Sequence, residues 1–88
     1  MLICTLPNAY IEPIIQLYPN PIYEHLTIKN EYYNNITVFK IYDLIGNELI
    51  TGEFFHETTI DFFGMAIGTY IVKVMSGDSV SYHKVVKI

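Results

Sequence analysis

Thr69-Tyr70-Ile71-Val72-Lys73-Val74-Met75-Ser76, followed by Gly77-Asp78 and then Ser79 through Ile88, is the stretch whose reading decides the fold. Tyr70, Val72 and Val74 alternate with Ile71, Lys73 and Met75, so every second side chain shares a face, the period of a β-strand. Gly77-Asp78 is a two-residue reversal of the kind that closes a hairpin, and Ser79 to Ile88 is the returning strand. Working back toward the N-terminus, the same alternation recurs. Thr58 to Phe62 buries Ile60 and Phe62, and Glu48 to Phe54 precedes it as another strand. Ile36 to Tyr42 places Thr37, Phe39 and Ile41 on one face and Val38, Lys40 and Tyr42 on the other, with Phe39 and Ile41 as core. His25-Leu26-Thr27-Ile28-Lys29 buries Leu26 and Ile28, and Asn30 to Asn35 forms a polar, tyrosine-bearing loop. Ile15 to Tyr18 is a short first strand ended by Pro19 and Pro21. Proline has no amide donor, so this strand belongs at a sheet edge. Phe63 to Ile67 has room for one helical turn at most. About seven short strands with turns roughly every 8–12 residues predict an all-β fold, an immunoglobulin-like antiparallel β-sandwich.

The 88 residues support one domain, assigned to 15–88. Residues 1–14, punctuated by Pro7, Asn8 and Pro13, read as a linker or a residual upstream segment. The hydrophobic fraction is 51% against 16% charged, the reverse of a disordered composition. A mean hydropathy of +0.29 suits a dense sandwich or a module made to meet a partner. The net charge of −4 excludes a general nucleic-acid-binding surface. Charge is unevenly spread: Asp43, Glu48, Glu53, Glu57 and Asp61 lie between Lys40 and Lys73, where no Lys or Arg falls, and this reads as a solvated acidic flank. A single cysteine, Cys4, excludes an internal disulfide. No apolar run approaches the ~20 residues of a membrane helix. Met1-Leu2-Ile3-Cys4-Thr5-Leu6 lacks the basic start of a secretory leader, so an exported protein would have its leader upstream, with this sequence a fragment of a longer precursor. His25, His56 and His83 have no metal-ligand spacing among themselves or with Cys4. With no phosphate loop, nucleophile elbow or His-Glu-x-x-His element, neither an enzyme nor a cofactor is expected. Tyr32-Tyr33 offers rings that could stack on sugars, and Asn35-Ile36-Thr37 fits a glycosylation sequon; both patterns are common in ordinary strand and loop sequence.

Four short motifs punctuate the strands. Tyr18-Pro19-Asn20-Pro21 fixes φ at two positions and holds Asn20 extended, a rigid exit from an edge strand that discourages edge-to-edge pairing. In Tyr42-Asp43 followed by Gly46, the glycine permits positive φ and the aspartate can accept from a nearby backbone amide, a structural rather than catalytic role. Gly68-Thr69-Tyr70 opens the penultimate strand, with Tyr70 placed for a tyrosine corner. Lys84-Val85-Val86-Lys87-Ile88 is basic and apolar by turns, with lysines that could simply guard an edge.

In this order and spacing the motifs resemble the type A C-terminal sorting domain of the bacterial type IX secretion system, with Tyr18, Pro19, Asn20, Pro21, Tyr42, Asp43, Gly46, Gly68, Tyr70, Lys84 and Lys87 carrying the likeness. Phe63-Gly64 and Ala66-Ile67 depart from the usual pattern, where small polar residues and then alanine or proline are commoner. The resemblance implies a secretion signal that directs a covalently attached N-terminal cargo across the outer membrane of a Bacteroidetes-type bacterium. Its partners would be the type IX translocon and a sortase-like signal peptidase that removes the domain. Its location would be the periplasm in transit to the cell surface or the exterior. Recognition of a folded surface is expected, with Ile71, Lys73, Met75, Lys84 and Lys87 on the exposed face of the final hairpin as the candidate translocon contact. The competing reading is a fibronectin-like or carbohydrate-binding module of an extracellular protein, since one fold serves both; ligand-dependent shifts with glycans would distinguish it.

Overall fold

The computed structural model describes residues 15–31 and 36–88. Residues 1–14, with Cys4, and Tyr32, Tyr33 and Asn35 of the loop lie outside the described residues. Seven strands follow in order: β1 (Ile15–Tyr18), β2 (His25–Asn30), β3 (Thr37–Tyr42), β4 (Glu48–Phe54), β5 (Glu57–Asp61), β6 (Gly68–Ser76) and β7 (Ser79–Lys87). They form two sheets, β1-β2-β5 and β4-β3-β6-β7, with every strand pair antiparallel. The expected all-β sandwich is the observed architecture.

Alternation explains which side of each strand turns inward. Tyr70, Val72 and Val74 of β6 are buried with Phe39 and Ile41 of β3, and Leu26, Ile28 and Ile60 face them from the smaller sheet. Phe62 and Tyr70 meet edge to face at 5.7 Å between centroids, the arrangement aromatic quadrupoles favour. Phe39 and Gly52 are direct register partners on the inner face. A Cβ added at Gly52 would lie 2.8 Å from the Phe39 ring, so only glycine gives that ring its space.

Two features differ from the sequence reading. Asn30 is not a loop residue: it ends β2 and is buried, its side-chain amide donating to Thr37 Oγ1 at 3.0 Å and Ser76 Oγ at 2.9 Å. A polar group taken out of water needs such partners. These bonds join the end of β2 to β3 and β6 across the sandwich, opposite the end where β7 finishes. The second difference concerns Lys87. Lys84 and Lys87 are three residues apart in a continuous strand, so they project to opposite faces. Lys84 is exposed, whereas Lys87 turns inward opposite Gly68, is 8% exposed, and donates its amine to the Ile88 carbonyl at 3.2 Å. Lys87 is therefore not on the exposed face of the hairpin where it was expected.

Candidate functional site

The Tyr18-Pro19-Asn20-Pro21 segment does more than leave an edge strand. After β1 pairs with β2 in the smaller sheet, the chain crosses to the larger one through two cis peptide bonds, Tyr18–Pro19 and Asn20–Pro21. Pro19 and Pro21 have no N–H to offer, but the Asn20 side chain carries both a donor and an acceptor, like a peptide group. It uses both on β7: Nδ2 donates to the Lys84 carbonyl at 3.2 Å, and Oδ1 accepts the Val86 N–H at 3.0 Å. Ile22 continues the contact as a short parallel bridge. Its N–H donates to Val86 O at 2.6 Å and its carbonyl accepts the Ile88 N–H at 2.9 Å. Ile22 itself is fully buried, anchoring the crossing in the core. The first and last family motifs are thus one structure, a clasp over the end of the terminal strand.

The middle motifs are turn chemistry. Asp43 Oδ1 accepts the N–H groups of Ile45, Gly46 and Asn47 at 2.9–3.0 Å, and Oδ2 accepts the Asn47 side-chain amide at 3.0 Å. These bonds, the Asn47 backbone N–H foremost, hold the Asp43 carboxyl below its ordinary pKa. Gly46 sits at φ +103°, a conformation that side-chain-bearing residues rarely adopt. Tyr42, just before the turn, is half-buried on the outer side of β3. Tyr70 is buried, and its hydroxyl donates to the Ala66 carbonyl, the bond of a tyrosine corner. An open groove of about 440 Å³ lies beside these residues, lined by Asp43, Leu49, Ile50, Met65, Ala66 and Tyr70. It brings together no nucleophile and base. Among the described residues no cluster of His, Cys, Asp and Glu could hold a metal ion.

The outer face of the larger sheet gathers the remaining candidates. Residues opposite one another in an antiparallel pair share a face, and the register sets Ile71 against Lys84, Lys73 against Tyr82, and Met75 against Val80. Lys40 of β3 lies beside Lys73 in the same row. Ile71, Lys73, Met75 and Lys84 therefore do form one surface, and Lys87 is on the other side of the strand. Its positive charge lies toward β6 and β7, with Lys73 and Lys84, while β4 brings Glu48 and, opposite Val38, Glu53 to the other side. Lys40 reaches Glu48 at 3.4 Å, whereas Lys73 lies over the Tyr82 ring, 5.8 Å from its centroid. Neither β6 nor β7 contains a carboxylate. On the inner side of β7, His83 bonds Ser81 Oγ through Nε2 at 2.9 Å, and partial burial pushes its imidazole pKa down.

Asn20, Ile22 and the Asn30–Thr37–Ser76 cluster are the structural residues whose roles the sequence did not reveal. A signal existed for Asn20 alone: an amide side chain between two residues unable to donate is suited to pair with a strand edge.

No helix among the described residues is long and apolar enough to cross a membrane. An endo-acting ulvan lyase of Formosa agariphila is 32% identical to this chain in an alignment of 80 residues that covers 88% of the chain and 15% of the lyase. The chain thus corresponds to a small part of that relative. The family described as the secretion system C-terminal sorting domain matches residues 16–88, taking in all seven strands but the first residue of β1 and both halves of the clasp. By that match the chain belongs to the family of C-terminal sorting domains that serve as signals for type IX secretion.

Proposed function

We propose that the type IX translocon recognises this domain as a folded surface, the outer face of the β4-β3-β6-β7 sheet, with Ile71, Lys73, Met75 and Lys84 in the contact. The observation that carries this reading is the register that lines up these residues from two strands on one partly apolar surface, with two lysines and no carboxylate from β6 or β7. An interface needs apolar anchors with a polar rim, and Ile71 and Met75 flanked by lysines supply both. The attached cargo precedes β1 and travels through the periplasm with the domain to the outer membrane. A sortase-like peptidase then cuts in the segment before Tyr18, leaving the cargo at the surface or outside the cell. The domain performs no chemistry in this sequence; its contribution is shape and charge. Lys87 lies on the inner side of β7, outside this contact.

The test fuses the whole chain to a secreted fluorescent reporter in a host with a type IX system. Lys84→Ala lowers surface display while leaving the melting temperature in place. Lys87→Met keeps the buried stem without the charge and leaves display intact. Full display of the Lys84→Ala fusion would remove Lys84 from the contact.

A further inference from the structure

Strand β7 ends the larger sheet, so one side of its backbone faces away from β6. Which residues face away follows from the clasp. Lys84 O, Val86 N and O, and Ile88 N all bond outward to Asn20 or Ile22. In a strand the N–H and C=O of one residue point the same way, and successive residues alternate. The β6–β7 register runs from Ser76↔Ser79 to Gly68↔Lys87 without a shift. The outward set therefore continues backward through Tyr82 and Val80. Their N–H and C=O groups, with the N–H of Lys84, have no partner among the described residues, because the clasp stops at the Lys84 carbonyl. Among the described residues half of the edge is covered and half is open, and the open half follows directly on the covered half.

In side-chain terms the open half is guarded at its Lys84 end only. Natural edges are blunted by charge, proline or bulges, yet Val80 is 53% and Tyr82 64% exposed, on a straight stretch with no bulge. An extended strand laid there would continue the line that Ile22 begins. Its alternate side chains would lie on the outer face next to Tyr82 and Lys84, where Lys73 adds further positive charge and no carboxylate comes from β6 or β7. That favours an incoming segment with acidic residues on one face.

We propose that the Val80–Lys84 edge of β7 is a strand-addition site, occupied by an extended, acidic segment of the secretion receptor that pairs with Val80, Tyr82 and Lys84. Main-chain bonds supply affinity in this mode of recognition, and alternate side chains supply selectivity. The inference rests on the outer-face reading above and extends it from side chains to backbone.

Proline at position 82 tests it. Tyr82→Pro removes an outward N–H and blocks an incoming strand, while every bond from β7 to β6 comes from the residues between and is kept. In the reporter fusion of the whole chain, Tyr82→Pro is expected to lower surface display about tenfold. Tyr82→Thr, which keeps the N–H, should restore most of that loss. If Tyr82→Pro lowers the melting temperature, Val80→Pro carries the same test on the neighbouring outward N–H. Display at the original level by either proline variant in folded form overturns the proposal. If Lys84→Ala still reduces display in that case, the outer-face reading survives without strand addition. A dimer in sedimentation that Tyr82→Pro dissociates, with export unchanged, would make a second copy the occupant and also overturn it.

Discussion

Asn20→Ala isolates the clasp. The substitution removes two hydrogen bonds to β7, Asn20 Nδ2 to Lys84 O and Val86 N–H to Asn20 Oδ1, at 3.2 and 3.0 Å. It leaves the buried Ile22 and both prolines in place. Each bond of this kind contributes about 0.5–1.5 kcal/mol net, and because Asn20 is exposed, water recovers part of the loss, so the pair is worth about 1–2 kcal/mol. In a domain of this size each kcal/mol moves Tm by about 4–8 °C, which sets a fall of about 4–16 °C. Amide hydrogen exchange localises the effect. The Val86 N–H faces away from β6 and depends on Asn20, so it should lose protection, while the Val85 and Lys87 amides, which face β6, keep theirs. Asn20→Asp separates the two bonds: it retains the acceptor for Val86 but sets a carboxylate oxygen against the Lys84 carbonyl. Val86 should then stay protected while Tm still falls. An Asn20→Ala protein with unchanged Tm and unchanged Val86 exchange would refute the clasp.

Gly52→Ala drives a methyl into the buried Phe39 ring at 2.8 Å and should cost about 1–3 kcal/mol, read as a lower urea midpoint. Tyr70→Phe deletes the hydroxyl bond to Ala66 and should cost about 1 kcal/mol with the fold unchanged by circular dichroism. Asp43 has a folded pKa below its ordinary 3.8, so its contribution to stability is complete above that value and is lost as pH falls through the lower folded value. A Tm-against-pH series should therefore show a shallower acid limb below about pH 4 in Asp43→Asn than in the original protein.

The strands were legible because their alternation is local. Leu26 and Ile28, Phe39 and Ile41, and Tyr70, Val72 and Val74 each declare a buried face within a few residues, and all seven are buried. The turn at Asp43 to Asn47 was legible for the same reason, since aspartate and glycine at those positions act on their own neighbours. What escaped depends on residues distant in sequence. Asn20 meets β7 at separations of 64 and 66 residues, and Asn30 meets Ser76 at 46. A polar residue near a turn gives no local sign that it will be buried against another. Lys87 is a different case: the odd spacing from Lys84 already places the two lysines on opposite faces of any regular strand. Grouping them by their shared charge obscured that geometry.

The most direct measurement of the central claim is surface display of the whole-chain reporter fusion after Lys73→Glu with Lys84→Glu. Both positions lie on the outer face of the larger sheet and outside the core, so the domain should keep its Tm while reversing the charge a receptor would meet. The expected result is a reporter that accumulates folded in the periplasm. A reporter displayed at the original level would contradict it, because the face would then carry no part of the address.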